Sequence, residues 1–201
     1  MRKLLFIFLL VPFTMNIAFS QSIEKEIRDF AKREYPNDYK MQQYVYEKQM
    51  SAYRYMLSVT DSEVKKIAIR EYSNDYSMQK YTYDKQLSAK RYMRTVQDKE
   101  VKKIALREYS NDYSMQKYTY DKQLSAKKYM RTVEDKEVKQ IALNEYPNDY
   151  SMQKYTYDKQ LSAKQYMKTA KNSNAKIRAQ REYPHDYSMQ KYTYDKIVNR
   201  N

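Results

Sequence analysis

A 37-residue period constrains the possible folds of this chain more than any other feature of its sequence. The stretch from Tyr72 to Tyr83, with the sequence YSNDYSMQKYTY, recurs nearly letter for letter from four further tyrosines: Tyr35, Tyr109, Tyr146 and Tyr183. A fixed period in this range is typical of repeat proteins, in which each unit packs against its neighbours. The sequence therefore predicts a stacked array of similar modules.

The composition predicts that these modules are helical. The chain has no glycine and 4 prolines in 201 residues, whereas tight β-hairpins and phosphate-binding loops rely on glycine for positive φ. Its 25 tyrosines argue against disorder, because disordered segments are poor in aromatic residues. We therefore expect an all-α array of five helix–turn–helix repeats, either α-solenoid-like or an extended helical bundle. The repeats form one domain, residues 21–201, with units 22–58, 59–95, 96–132, 133–169 and 170–201.

The first twenty residues have the pattern of a secretory signal peptide. Arg2 and Lys3 form a basic start, Leu4 to Phe13 form an apolar run, and Ala18 to Ser20 supply small residues. This order predicts a signal peptide over residues 1–20, cleavage near Ser20/Gln21, and a secreted or periplasmic protein. An uncleaved membrane anchor is the alternative, which the shortness of the apolar run disfavours. No membrane span is expected in the mature chain.

The charge balance favours anionic partners. The chain has 39 Lys and Arg against 25 Asp and Glu, a formal net charge of +14. Such a surface attracts acidic proteins, acidic polymers or lipid headgroups, although the same charge also keeps an exported helical protein soluble. With no cysteine, stability cannot come from disulfides. The oligomeric state is left open.

Each repeat is predicted to begin with a short helix. In the third unit, Val101, Ile104 and Ala105 follow the three-and-four spacing of one helical face. The stretch from Thr60 to Glu63 has the pattern of a capping box at the matching place in the second unit. Asp98 and Asp135 can act as simpler caps in their units.

A corner with the pattern Tyr-[Ser/Pro]-Asn-Asp-Tyr follows the short helix. Proline disfavours a helical conformation for the residue before it, and an aspartate side chain can cap the next helix. We therefore predict five helix N-caps: Asp38, Asp75, Asp112, Asp149 and Asp186.

The second segment of each repeat is long, from Tyr76 to about Val96 in the second unit. Its apolar residues fall into two stripes. The broader stripe contains Met78, Tyr81, Ala89, Tyr92, Met93 and Val96, and the opposite stripe contains Tyr76, Tyr83 and Leu87. The junction from Thr95 to Lys99 holds no strong helix breaker, so either helical hairpins or long bent helices are possible. The capping box in the second unit favours hairpins.

Residues that could carry catalysis are scarce. There is no cysteine nucleophile, and His185, the only histidine, replaces a turn asparagine. Metal ligation by His and Cys is excluded by their number. Carboxylates such as Asp84 recur in every unit, whereas an active site needs one particular arrangement. We therefore expect no enzyme, no catalytic residue, no cofactor and no metal.

The repeated tyrosines and lysines are the candidate binding surface. Tyrosines two residues apart on a helix point to different sides, so at most one of each pair can share a surface. Tyrosine is favoured at interfaces because it combines a large rigid ring with a hydroxyl. The predicted surface comprises Tyr44, Lys80, Tyr81, Lys117, Tyr118, Lys154, Tyr155, Lys191 and Tyr192.

These observations favour an exported, non-enzymatic binding scaffold for a macromolecular partner, either a protein or an anionic polymer. Export makes nucleic acid a less favoured partner. The alternative is a self-associating structural protein of a surface or matrix, and an enzyme is the least favoured class.

The motif Tyr-Pro-Asn-Asp-Tyr-x-Met-Gln-x-Tyr, at Tyr35–Tyr44 and Tyr146–Tyr155, resembles short segments of bacterial proteins of uncharacterised role. The resemblance covers the repeat unit and hence most of the mature chain. It implies a bacterial exported protein built from helical repeats, and it carries no activity.

Overall fold

The computed structural model describes residues 11–199, with side chains from residue 21 onward. This part of the chain contains ten α-helices and no strand, so the predicted all-α repeat array is confirmed. Residues 1–10 of the predicted signal peptide lie outside the described residues, and the predicted junction at Ser20/Gln21 lies inside the first helix. The helices are α1 (Val11–Glu34), α2 (Tyr39–Ser58), α3 (Ser62–Glu71), α4 (Tyr76–Thr95), α5 (Lys99–Glu108), α6 (Tyr113–Thr132), α7 (Lys136–Glu145), α8 (Tyr150–Thr169), α9 (Ser173–Glu182) and α10 (Tyr187–Val198).

The short helices α3, α5, α7 and α9 each have 10 residues and begin at a side-chain cap. In α5 the Asp98 carboxylate accepts a hydrogen bond of 3.0 Å from the Val101 N–H. The capping box predicted at Thr60 is wrong: the N-cap of α3 is Asp61, whose carboxylate accepts from the Val64 N–H at 3.1 Å. Asp61 lies one period before Asp98, so the repeat places the cap there.

The corner before each long helix is held by the predicted aspartates. Their carboxylates accept hydrogen bonds of 2.9 to 3.0 Å from the N–H three residues later, at Asp38, Asp75, Asp112, Asp149 and Asp186. Gln116, buried on α6, donates through Nε2 to the backbone carbonyl of Tyr109 at 2.6 Å. The corner is therefore tied to the helix that follows it.

The long helices end before the next short helix begins. Helix α6 ends at Thr132, its C-cap Val133 is extended with φ −71° and ψ 140°, and α7 begins at Lys136. The favoured version, separate helices joined by a short link, is therefore the one observed.

The chain forms two compact units, divided between Ser88 and Ala89 inside α4. In the first unit, α1 packs on α2. Ile23, Ile27 and Met50 are buried there, with the rings of Tyr46, Tyr53 and Tyr76 packed against them.

The second unit repeats one core cluster three times. Helices α5, α7 and α9 pack against α6, α8 and α10 respectively, and α8 packs against both α6 and α10. One cluster joins Met93, Val101, Ala105 and Tyr120, and its counterparts are centred on Val138 and Ala179. The shared apolar layer is thus built from equivalent residues.

The two stripes predicted for the long helix need a correction. Tyr81, assigned to the broader stripe, is exposed, while the polar residues Gln79, Thr82 and Gln86 are buried. Glutamine is buried on this helix because its amide hydrogen-bonds backbone groups of a corner, as Gln79 does with the Tyr72 carbonyl.

Candidate functional site

Within each compact unit, adjacent repeats are joined by a buried glutamine. Gln123 of α6 donates through Nε2 to the Asp149 carboxylate at 2.8 Å, and its Oε1 accepts from the Ser151 N–H at 3.1 Å. Gln49 makes the same two bonds to Asp75 and Ser77, and Gln160 makes them to Asp186 and Ser188. The amide therefore binds the start of the next long helix in a fixed register.

The contacts show how α6 and α8 lie beside each other in the second unit. Gln123 of α6 bonds Asp149, and further along α6 the Tyr129 hydroxyl donates to Asp158 at 2.5 Å. Because the contacts advance toward the C-terminus on both helices, α6 and α8 run parallel. Each contact joins residues 26 to 29 apart in sequence, short of the 37-residue period. Equivalent residues are therefore shifted along the axis by about nine residues, and lie roughly 16 Å apart at the usual spacing of packed helices.

The four lysines of the predicted surface are engaged in clusters with tyrosine and aspartate. Lys117 Nζ lies 2.6 Å from Asp121 and 4.5 Å from the centroid of the Tyr92 ring, and the Tyr92 hydroxyl donates to Asp121 at 2.5 Å. The same cluster forms around Asp84, Asp158 and Asp195 with Lys80, Lys154 and Lys191.

The cluster shifts the protonation of its members. Partial burial alone would raise the pKa of Asp121, but the hydrogen bonds from Lys117 and Tyr92 hold that pKa below its usual value. The hydrogen bond to Asp121, with burial, raises the pKa of Tyr92 to about 12, and the bond to Asp158 does the same for Tyr129. These lysines therefore stabilise contacts between repeats instead of offering a charge to a partner.

The five predicted tyrosines, in contrast, are exposed to nearly the same degree. Between 59 and 60% of each residue is open to solvent at Tyr44, Tyr81, Tyr118, Tyr155 and Tyr192. The tyrosines two residues later are buried from the second repeat onward, and the Tyr120 hydroxyl accepts the Asp98 N–H at 3.2 Å. One tyrosine of each pair thus holds the fold and the other faces solvent.

A second tyrosine lies beside each of the last two exposed ones. Tyr155 and Tyr146 line one groove of about 140 Å³ with Glu145 and Lys159. Burial and the charge of Glu145 raise the pKa of Tyr146. Tyr183 and Tyr192 line the equivalent groove on α9 and α10.

The cations that accompany the exposed tyrosines are different lysines from those predicted. They lie four residues after each exposed tyrosine, on the same helical face. All five are exposed, and within residues 21–199 none of their side chains makes a hydrogen bond or an ion pair: Lys48, Lys85, Lys122, Lys159 and Lys196. The four-residue spacing was visible in the sequence, but the neighbouring lysines of the aspartate clusters have the same periodicity. We call the exposed tyrosines and these five lysines the tyrosine–lysine surface.

The described residues contain no group of three or more His, Asp or Glu side chains placed to hold a metal ion. None of the helices described is both long enough and apolar enough to cross a membrane. Comparisons with protein-family models, curated proteins and solved structures found no match for this chain. The resemblance of the corner motif to bacterial segments therefore stays a prediction.

Proposed function

We propose that this protein is an exported, non-enzymatic scaffold that binds a macromolecular partner through the tyrosine–lysine surface. The observation that carries the proposal is the equal exposure of its five tyrosines, 59 to 60% in every repeat. The tyrosines two residues later are buried from the second repeat onward. The fold therefore buries one tyrosine of each pair and leaves the other exposed to solvent.

Tyrosine suits such a surface because its ring gives a large contact area at little cost in conformational entropy. The groove at Tyr155 has about 140 Å³, less than the roughly 300–1,000 Å³ of small-molecule sites, and the groove at Tyr192, about 360 Å³, lies at the low end of that range. Equivalent tyrosines of the second unit lie roughly 16 Å apart. A partner that touches several of them must therefore be an extended macromolecule.

At the Tyr155 groove the local charge favours a protein over an anionic polymer. Lys159 shares its groove with Glu145, so the charge beside Tyr155 is balanced. A polyanion would gain little at such a groove, whereas a protein surface can match both signs. Binding that weakens only modestly in salt would support a protein partner.

The test compares the parent chain with a variant carrying Tyr118→Ala, Tyr155→Ala and Tyr192→Ala. Both proteins are immobilised, and the extracellular proteins and polymers of the source organism are passed over them at low and at raised salt concentration. The proposal expects a component that the parent retains and the triple variant does not. Tyr39→Ala is the matched control, because Tyr39 is 78% exposed but lies outside this surface. Equal retention by parent and triple variant would contradict the proposal.

Self-association is a second candidate, favoured by a groove of about 360 Å³ between α9 and α10. Tyr192, Lys196 and Ile197 line it. In the preceding repeat the equivalent groove is partly filled by Asp186, Ser188 and Met189 of the next corner. The corner of a second copy would fit there, and sedimentation over a concentration series tests this: a monomer at every concentration contradicts it.

A further inference from the structure

The outer face of the short helix α5 carries a second surface that the tyrosine–lysine surface does not include. Val101, Ile104 and Ala105 are buried on the inner side of this helix. The residues on the opposite side are Lys99, Lys102, Lys103, Leu106 and Arg107. At one hundred degrees per residue they form one continuous patch, which we call the α5 patch.

The four cations of the α5 patch are not neutralised within the described part of the chain. No hydrogen bond or ion pair there holds the side chain of Lys99, Lys102, Lys103 or Arg107. The nearby Glu100 carboxylate is bound by Lys127 at 2.7 Å and so does not offset them. The lysines of the aspartate clusters are paired, whereas these four cations, like the five lysines of the tyrosine–lysine surface, are not.

An exposed aliphatic side chain lies among these cations. Leu106 is 41% exposed and is flanked by Lys102, Lys103 and Arg107 on the helix surface. The equivalent position of α3 holds Ile69, which is 42% exposed, beside Lys65, Lys66 and Arg70. A soluble polyanion gains no binding energy from contact with an aliphatic side chain. In a lipid bilayer, the boundary between the headgroups and the acyl chains can take up the leucine while the headgroups bind the cations.

We propose that the α5 patch docks on an anionic lipid surface. Its cations bind the negatively charged headgroups and Leu106 enters the boundary below them. Helix α5 lies in the plane of the surface and does not cross the bilayer. This site goes beyond the macromolecule proposed for the tyrosine–lysine surface and is independent of it.

The chain supplies its own comparison for this patch. In α7, one period later, Gln140 replaces Lys103 and Asn144 replaces Arg107. The inner faces match, with Val138 and Ala142 buried like Val101 and Ala105. Exchanging the two α5 cations for the α7 residues therefore changes charge while keeping a sequence that this fold already accommodates.

The first experiment uses the lack of cysteine in the chain. Leu106→Cys is labelled with an environment-sensitive dye in the full chain and mixed with phosphatidylglycerol–phosphatidylcholine vesicles. The emission of the dye should shift to the blue with these vesicles and much less with phosphatidylcholine vesicles. The phosphatidylcholine vesicles are the control for insertion driven by the apolar segment Leu4 to Phe13, which does not need anionic lipid. Tyr118→Cys, labelled in the same way, should not shift. No shift at position 106, or an equal shift at position 118, would overturn the proposal.

The second experiment measures affinity by vesicle sedimentation. Each cation near an anionic surface contributes about fivefold, so Lys103→Gln with Arg107→Asn should weaken binding by about 30-fold. The control is Lys128→Gln with Arg131→Gln, two exposed cations on α6 outside both surfaces, and it should weaken vesicle binding less than the α5 variant does. Soluble polyphosphate separates the two classes of anion. If the variant loses polyphosphate binding equally, and Leu106→Gln leaves vesicle binding intact, the patch binds polyanions and the lipid proposal is wrong.

Discussion

At the scale of the residue, a buried glutamine sets the register between repeats at three junctions, through Gln49, Gln123 and Gln160. Gln123 is buried and uses both ends of its amide on the next corner. Without it the Ser151 N–H would lose its acceptor, and an unsatisfied buried group costs more than a typical hydrogen bond contributes. In the last repeat this position holds Ile197, whose side chain has no amide to make these two hydrogen bonds.

Replacing this glutamine should therefore destabilise the protein. We expect Gln123→Leu to lower the free energy of unfolding by roughly 1–3 kcal/mol, and thermal denaturation measures it as a drop of about 2–4 °C in Tm for each kcal/mol. Gln165→Leu, at an exposed glutamine of α8, is the control and should change little. A melt of Gln123→Leu that matches the parent would show that the amide bonds contribute nothing.

The tyrosine clusters predict alkaline behaviour. The pKa of Tyr129 is about 12 in the folded protein, against about 10 for an unperturbed tyrosine. Because the folded pKa is the higher one, the stabilisation is complete below pH 10 and is lost as pH rises from 10 to 12. The ultraviolet absorbance of the parent and of Tyr129→Phe is titrated with base, and the difference between the two curves should show one phenol ionising near pH 12. Ionisation of that phenol near pH 10 would contradict the hydrogen bond to Asp158.

Sequence reasoning found the residues whose role is local and missed those whose role depends on a neighbouring repeat. The cap at Asp149 needs only the N–H of Met152, three residues away. Lys154, by contrast, is paired because Tyr129 reaches Asp158 from the preceding repeat, and nothing in the local pattern shows that contact.

At the scale of the element, the corner aspartates differ in how many bonds they make. Asp38 caps α2 alone, whereas Asp149 caps α8 and also accepts from Gln123. We expect Asp38→Ala to cost about 1 kcal/mol and Asp149→Ala about 2–3 kcal/mol, because the second bond is lost as well. Chemical denaturation measures both. Equal costs would mean that Gln123 does not hold the junction.

The buried face of a long helix can be tested with two neighbouring positions. Ala126 is 3% exposed, while Ser125 beside it is exposed. Ala126→Asp forces an unpaired charge inside and should destabilise by roughly 3 kcal/mol or more, whereas Ser125→Asp should cost less than about 0.5 kcal/mol. Similar melting temperatures for the two variants would contradict the assigned face.

Helix positions were predictable to within a few residues because each start has a local signal. The predicted long segment, Tyr76 to about Val96, is observed as Tyr76–Thr95. The buried face was not predictable in the same way: Gln79 and Gln86 are polar, and a pattern of apolar residues places them outside. Gln79 is buried because its amide donates to the Tyr72 carbonyl in the corner of its own repeat, a bond that a pattern of apolar residues does not indicate.

At the scale of the whole molecule, the period predicted the array and could not predict its stagger. A 37-residue repeat is compatible with helices side by side or shifted along their axes. The shift follows from which side chains meet, as Gln123 meets Asp149 and Tyr129 meets Asp158. That stagger spaces the exposed tyrosines of the second unit, and so determines the length of a partner that can touch them together.

The most direct test of this account is the distance between equivalent residues of adjacent long helices. Ser125→Cys with Ser162→Cys places two spin labels at exposed positions of α6 and α8 in a chain with no other cysteine. The stagger predicts a backbone separation of roughly 16 Å, and hence one narrow distribution of about 15–25 Å between the labels by pulsed electron paramagnetic resonance. A broad distribution, or one centred beyond about 30 Å, would contradict the packing of successive repeats.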